Sequence, residues 1–178
     1  MNTHTGNRSG KLLLLALAAT LLWSPARTAA AATAGGAPPA LVGKTLAGDA
    51  FDLGARRGEV VLVDFWATWC EPCKVSLPRY AALQRKYGKD GLHIITISVD
   101  EDVAALRRFV SERAMTLPVV HDAGGKHAEK WAPEKMPTAF LIGRDGKVAW
   151  VHGGFVVSDE PKVEAAIVAA LAVGKPRP

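Results

Sequence analysis

Apolar residues along the chain recur first at every position or every second, then at every third and fourth, and each change of spacing marks an element. Residues 41–53 hold two short apolar stretches around Gly48-Asp49, which predicts a small opening hairpin. Val60-Val61-Leu62-Val63 runs into Asp64-Phe65-Trp66, a continuous apolar strand of the kind buried on both faces. Leu77, Tyr80, Leu83 and Tyr87 follow at helical spacing and predict a helix over 72–87, closed by Gly88 and Gly91. Residues 92–99 read as a second strand. The acids Asp100-Glu101-Asp102 suit the N-terminus of a second helix, with Val103, Leu106, Phe109 and Val110 facing inward.

Beyond this, Pro118-Val119-Val120 is short and strand-like, and residues 127–131 predict a brief helix. The apolar runs 138–142 and 148–151 flank Arg144-Asp145-Gly146-Lys147, a strong hairpin signal. Ser158 and Asp159 start a last helix whose inward face is Val163, Ala166, Ile167, Ala170 and Leu171, ended by Gly174 and Pro176. Strands and helices alternating in this order predict an α/β fold, a central mixed β-sheet flanked by helices.

With 178 residues, 49% of them hydrophobic, the chain can bury one good core and is short for two domains. Its beginning belongs to none of the elements above. Arg8 and Lys11 precede the apolar run Leu12 to Trp23, and both Ala29-Ala30-Ala31 and Ala30-Ala31-Ala32 offer the small-residue pattern of a cleavage site. Such a run spans about 18 Å as a helix, short of the ~30 Å hydrocarbon core. Residues 1–31 therefore read as a signal peptide or an uncleaved anchor, 32–39 as a flexible spacer of Ala, Gly, Pro and Thr, and 40–178 as the domain. Either route predicts a periplasmic domain. Of 22 Lys and Arg, three (Arg8, Lys11, Arg27) precede residue 35, leaving 19 cations against 17 acids. That balance gives no footprint for nucleic acid.

The chain has two cysteines, placed as Cys70-Glu71-Pro72-Cys73 where the buried strand turns into the first helix. A bridge over so short a loop staples almost nothing, so stability is a poor reason for the pair. Zinc would need about four ligands, and covalent haem attachment would need His where Lys74 stands. Dithiol redox chemistry remains. Cys70 would lie at a helix N-terminus, where free N–H groups and the dipole favour a thiolate, with Cys73 shielded one turn further in. The five histidines form no cluster, and no cofactor or metal is expected. A non-enzymatic copper metallochaperone is the alternative from another class, since two thiolates suit copper; Met136 is the one candidate for a third soft ligand.

The segment Val63-Asp64-Phe65-Trp66-Ala67-Thr68-Trp69-Cys70-Glu71-Pro72-Cys73-Lys74 resembles the active-site segment of thioredoxins, and its wording is closest to the exported TlpA/ResA-like branch. Met136-Pro137-Thr138-Ala139-Phe140 is similar to the family's cis-proline loop, and Pro78 to the proline that kinks its active-site helix. The stretch between Cys73 and Pro137 resembles the strand–helix insertion of that branch. The resemblance implies a thioredoxin-like fold with Cys70 as attacking thiolate and Cys73 as resolving thiol. Trp69, Met136 and Pro137 would then form the substrate-binding surface. It also implies that Asp64 is the buried acid handling the proton of Cys73; the plainer alternative is a strand-end Asp capping a turn. Many members carry Asn at that place and an acid in the following helix, but Lys74-Val75-Ser76-Leu77 supplies none.

The implied activity is that of a monomeric protein-disulfide reductase for exported proteins such as apocytochrome c or copper-site proteins, refilled by a membrane thiol-transport reductant. A general disulfide-forming oxidant is the alternative. Glu71 favours the reductase: at roughly 7 Å and a dielectric of about 50 its charge opposes a Cys70 thiolate by on the order of 1 kcal/mol, or about 20 mV.

Overall fold

The structure, a computed structural model, describes residues 1–3 and 32–174; the leader reading, Arg8 to Ala31, lies outside the described residues. Two antiparallel strands, β1 (Val42–Lys44) and β2 (Ala50–Asp52), make the opening hairpin. The main sheet contains β3 (Val60–Trp66), β4 (Leu92–Ser98), β5 (Val119–His121), β6 (Thr138–Ile142) and β7 (Val148–Gly153) in the order β5-β4-β3-β6-β7. β3 pairs parallel with β4 and antiparallel with β6, so the sheet is mixed, as its alternating elements predict. Among the described residues four α-helices complete the fold: α1 (Glu71–Tyr87), α2 (Val103–Glu112), α3 (Lys126–Trp131) and α4 (Glu160–Ala172). This is a thioredoxin-like fold.

All seven residues of β3 are buried, because it is the central strand and both of its faces are covered. Alternation divides them. Val60, Leu62 and Trp66 pack with Leu77, Tyr80 and Leu83 of α1, Leu106 of α2, and Val163 and Ile167 of α4. Asp64 shares their parity and hence that helical face. Val61, Val63 and Phe65 face the other way, toward Leu41, Phe51 and Leu53 around the hairpin and Trp131 of α3. There Phe65, Trp131 and Phe140 form a tilted and edge-on trio with centroids 5.1–5.9 Å apart, favourable geometry for aromatic quadrupoles.

Two expectations need correction. Residues 32–39 are tied down, at least at their start. Gly35 N–H donates to Val148 O at 2.8 Å, Val148 N–H donates to Gly36 O at 2.9 Å, and Ala32 is buried. Composition suggested a flexible spacer, but small residues also allow a tight turn, and Gly35 takes φ 84 to make it. The inward face assigned to α2 is also too wide. Leu106 is buried and Phe109 and Val110 partly so, but Val103 opens the helix a turn before its packed residue and stays 40% exposed.

Candidate active site

Cys70 is the N-cap of α1, with extended backbone at φ −87 and ψ 104, and Pro72 stands in the first helical turn. Proline is tolerated there because its missing N–H would have had no helical acceptor. Cys73 N–H is shared between Cys70 O at 3.1 Å and Cys70 Sγ at 3.2 Å, so an N–H of the helix N-terminus reaches this sulfur. The two cysteines are joined as a disulfide, with Cα atoms 5.3 Å apart. Cys70 is 5% exposed and Cys73 fully buried, so both are covered and Cys70 is the nearer to solvent. Trp69 stands beside them 66% exposed. The Met136–Pro137 bond is cis, and Met136, partly buried, packs against the cluster that holds both cysteines. Gly154 N–H donates to Pro137 O at 2.7 Å and fixes the loop.

Asp64 lies opposite Thr96 of β4 and Ala139 of β6 and is fully buried. Neither of its carboxylate oxygens has a hydrogen-bond partner among the described residues, so it caps no turn. Burial penalises its charged form and holds its pKa well above the ordinary carboxylate value. Tyr80, which packs on the same face from α1, has a buried hydroxyl that likewise lacks a partner among the described residues. Burial first, then the charges of Asp64 and Asp159, push its phenol pKa far above the usual value. The charge of Asp64 reaches Tyr80, which packs in the cluster that also holds both cysteines.

Sequence reasoning missed Asp100. Of the three acids before α2, only Asp102 caps that helix, accepting from the N–H groups of Ala104 at 2.8 Å and Ala105 at 3.1 Å. Asp100 is buried and turns back toward the active-site loop. Thr68 donates its N–H to both carboxylate oxygens at 3.1 Å and its hydroxyl to one at 2.6 Å, and Ser98 donates to the other at 2.7 Å. The loop that carries Trp69 and Cys70 is thus clamped to the end of β4. A signal existed: Thr96, Ser98 and Asp100 alternate with apolar residues and so share one side of the strand. The weight placed on Glu71 also needs correction. Lys74 Nζ meets its carboxylate at 2.5 Å and offsets much of the negative charge beside Cys70.

What this arrangement can do is exchange a disulfide, through the Cys70–Cys73 pair at the helix N-terminus. No group of three His, Cys, Asp or Glu side chains among the described residues could hold a metal ion. The family described as Redoxin matches residues 31–167. The chain belongs to the Redoxin family. Among curated relatives of this redoxin, the thiol-disulfide oxidoreductase ResA of Bacillus thuringiensis subsp. konkukian is 36% identical over 110 residues, 62% of this chain. The match spans 64% of that relative's own length. ResA of Geobacillus thermodenitrificans is 30% identical over 151 residues, 85% of this chain and 87% of the relative. Among solved structures, one described as a thiol:disulfide interchange protein DsbE from Chlorobium tepidum aligns with a TM-score of 0.76 at 32% identity. It covers 80% of this chain and all of that one.

Proposed function

We propose that this redoxin is a thiol:disulfide oxidoreductase that works beyond the membrane and reduces disulfides of selected exported proteins. The observation that carries the reading is the pair itself. Cys70 Sγ accepts a helix N-terminal N–H beside an exposed tryptophan, and Cys73 is buried in the cluster between the sheet and α1. The resemblance to the TlpA/ResA-like branch supports apocytochrome c or copper-site cysteines as the target class, and a membrane thiol transporter as the source of electrons. The basic leader and small-residue cleavage pattern support export. No helix among the described residues is long and apolar enough to cross a membrane.

In the proposed cycle the Cys70 thiolate attacks one sulfur of the partner disulfide. A mixed disulfide forms, and the first partner sulfur leaves as thiolate and takes a proton from solvent. Cys73 then passes its proton to the Asp64 carboxylate and attacks Cys70 Sγ. The second partner sulfur leaves, and the two electrons of the enzyme dithiol now reside on the partner. N–H groups at the helix N-terminus stabilise the Cys70 thiolate in the first step. In the second step Asp64 shortens the proton's path where water is excluded. The reductant reverses the sequence and restores the dithiol.

Insulin reduction with a redox titration tests the reading. Cys70→Ser abolishes exchange, Cys73→Ser accumulates mixed disulfides, and limiting alkylation of the reduced protein labels Cys70 first. Asp64→Asn slows resolution by about 10- to 1000-fold and leaves the first attack largely intact. A potential near about −120 mV, that of a strong oxidant, overturns the reductase direction.

A further inference from the structure

A cleft of about 300 Å³ opens beside the active-site helix, between α1 and the loop that follows α2. Its α1 wall is Lys74, Leu77, Pro78, Ala81 and Arg85. Positions 74, 78, 81 and 85 recur at intervals of three and four, so they form one stripe down the helix, and Cys70 stands at its head. The floor is apolar: Leu77 and Leu117 are buried, and Phe109 and Met115 are partly so. The rim is cationic, with Lys74, Arg85 and Arg113, and no acid is among the lining residues.

Lys74 is shared with Glu71, but neither Arg85 nor Arg113 takes part in an ion pair among the described residues. Arg113 instead lies over the Phe109 ring at 5.0 Å, its charge held against the apolar floor. Pro78 has no N–H, so the Lys74 carbonyl loses its usual helical donor on the same wall. In the opposite wall Ala114 holds φ 45, the left-handed residue that ends α2, with Met115 N–H donating to Val110 O at 3.1 Å.

We propose that this cleft is a substrate-recognition groove, and that it takes a partner segment whose apolar side chain is flanked by carboxylates, a few residues from the partner's reacting cysteine. The inference rests on the reductase reading for the identity of that cysteine. Charge complementarity selects an acidic segment, since unpaired guanidinium groups border an apolar floor. The spacing follows from geometry. Leu77 and Ala81 lie about 10–16 Å along the helix from Cys70 at about 1.5 Å per residue. An extended partner covers that distance in about three to five residues at ~3.3 Å each. A segment laid along α1 thus brings its cysteine to Cys70 while its acidic, apolar part fills the cleft.

Two measurements separate this inference from the reading beneath it. In the first, the ¹⁵N-labelled protein is titrated with a peptide of about ten residues carrying Glu-Leu-Glu about four positions from a serine in the cysteine's place. The expected result is amide shifts at Lys74, Ala81, Arg85, Ala114 and Thr116, and none with Lys-Ser-Lys in place of Glu-Leu-Glu. Because no sulfur is exchanged, this holds whether or not the protein is a reductase. Equal shifts with both peptides, or shifts elsewhere only, overturn the groove.

In the second, the cysteine forms of both peptides, each as a mixed disulfide with mercaptoethanol, are reduced by the wild-type dithiol. The acidic peptide is expected to react about tenfold faster. In Arg85→Glu/Arg113→Glu the ratio of the two rates inverts; a ratio that stays tenfold in this variant overturns the groove. The ratio is internal to each protein and survives a general loss of activity. The neutral hydroxyethyl disulfide serves as control: if the wild type fails to reduce it, the reductase reading falls and the binding result stands by itself.

Discussion

Asp64→Asn keeps the shape of the side chain and removes its titration, so it isolates what a buried, unpartnered carboxyl does to the fold. In the unfolded chain this group titrates near about 3.9. Burial raises that value in the folded protein. Below about pH 3.9 both states are protonated and the group costs nothing. Between the two pKa values the folded state holds one proton more than the unfolded state, and stability falls by about 1.4 kcal/mol per pH unit. The cost is complete once pH passes the folded value. Asparagine has no such dependence.

The stability of Asp64→Asn minus that of wild type should therefore climb by about 1.4 kcal/mol per pH unit from about pH 4.5 and then level off, the break marking the folded pKa. Tyr80, although coupled to Asp64, does not titrate in this window, because its pKa is raised from an already alkaline value. The pair formed by His152 and Asp159 is present in both proteins and drops out of the difference. Urea denaturation of the oxidised proteins, followed by tryptophan fluorescence at half-unit steps, gives the curve. A flat difference from pH 4.5 upward would show that Asp64 is ionised and solvated in the fold, and would remove the physical basis for its role as a proton carrier.

Three further outcomes follow from single contacts. Tyr80→Phe removes a buried hydroxyl without a partner among the described residues and should stabilise by about 1 kcal/mol in denaturant melts; it should also weaken the loss of stability that the raised phenol pKa imposes above pH 10. Asp100→Ala strands the Thr68 N–H and hydroxyl and the Ser98 hydroxyl, and should cost about 2–4 kcal/mol in the same melts and speed hydrogen exchange at Thr68. Ala114→Gly relieves left-handed backbone worth about 1–2 kcal/mol, offset by about 0.4–1 kcal/mol of glycine entropy, for a net gain near 0.5 kcal/mol in thermal melts.

The order of strands and helices was legible because most elements here obey one period each. β3 is apolar at nearly every position since both faces are covered, and α1 repeats its large residues on one side because only that side meets the sheet. Cys70 and Cys73 stood out by spacing alone. Other features depend on contacts between distant segments, which periodicity does not record. Three consecutive acids look alike on paper, but only Asp102 reaches the helix N-terminus, whereas Asp100 is drawn inward by Thr68, which belongs to another strand's end. The turn from Thr33 to Gly36 reads as a spacer because its partner, Val148, comes more than a hundred residues later. Glu71 and Lys74 are three apart on a helix, so their pairing was within reach of the sequence; the charge of Glu71 was simply weighed without its neighbour.

The tie between Gly35, Gly36 and Val148 has a counterpart on the far side of the sheet, where Leu46 N–H donates to Val119 O at 2.8 Å and Thr45 bridges Val120. One short stretch of chain, from Gly35 to Leu46, therefore occupies part of both outer strands, β7 and β5, the places where another molecule could add a strand. These guards are made before anything they guard. A ribosome delivers residues 35–46 first, while Val119 and Val148 are still unmade, so both edges close only when the whole sheet exists. Neither edge strand is therefore ever made without its cover already in the chain. A chain shortened past Leu46 would make both edges with nothing to cover them, open to pairing with its own copies.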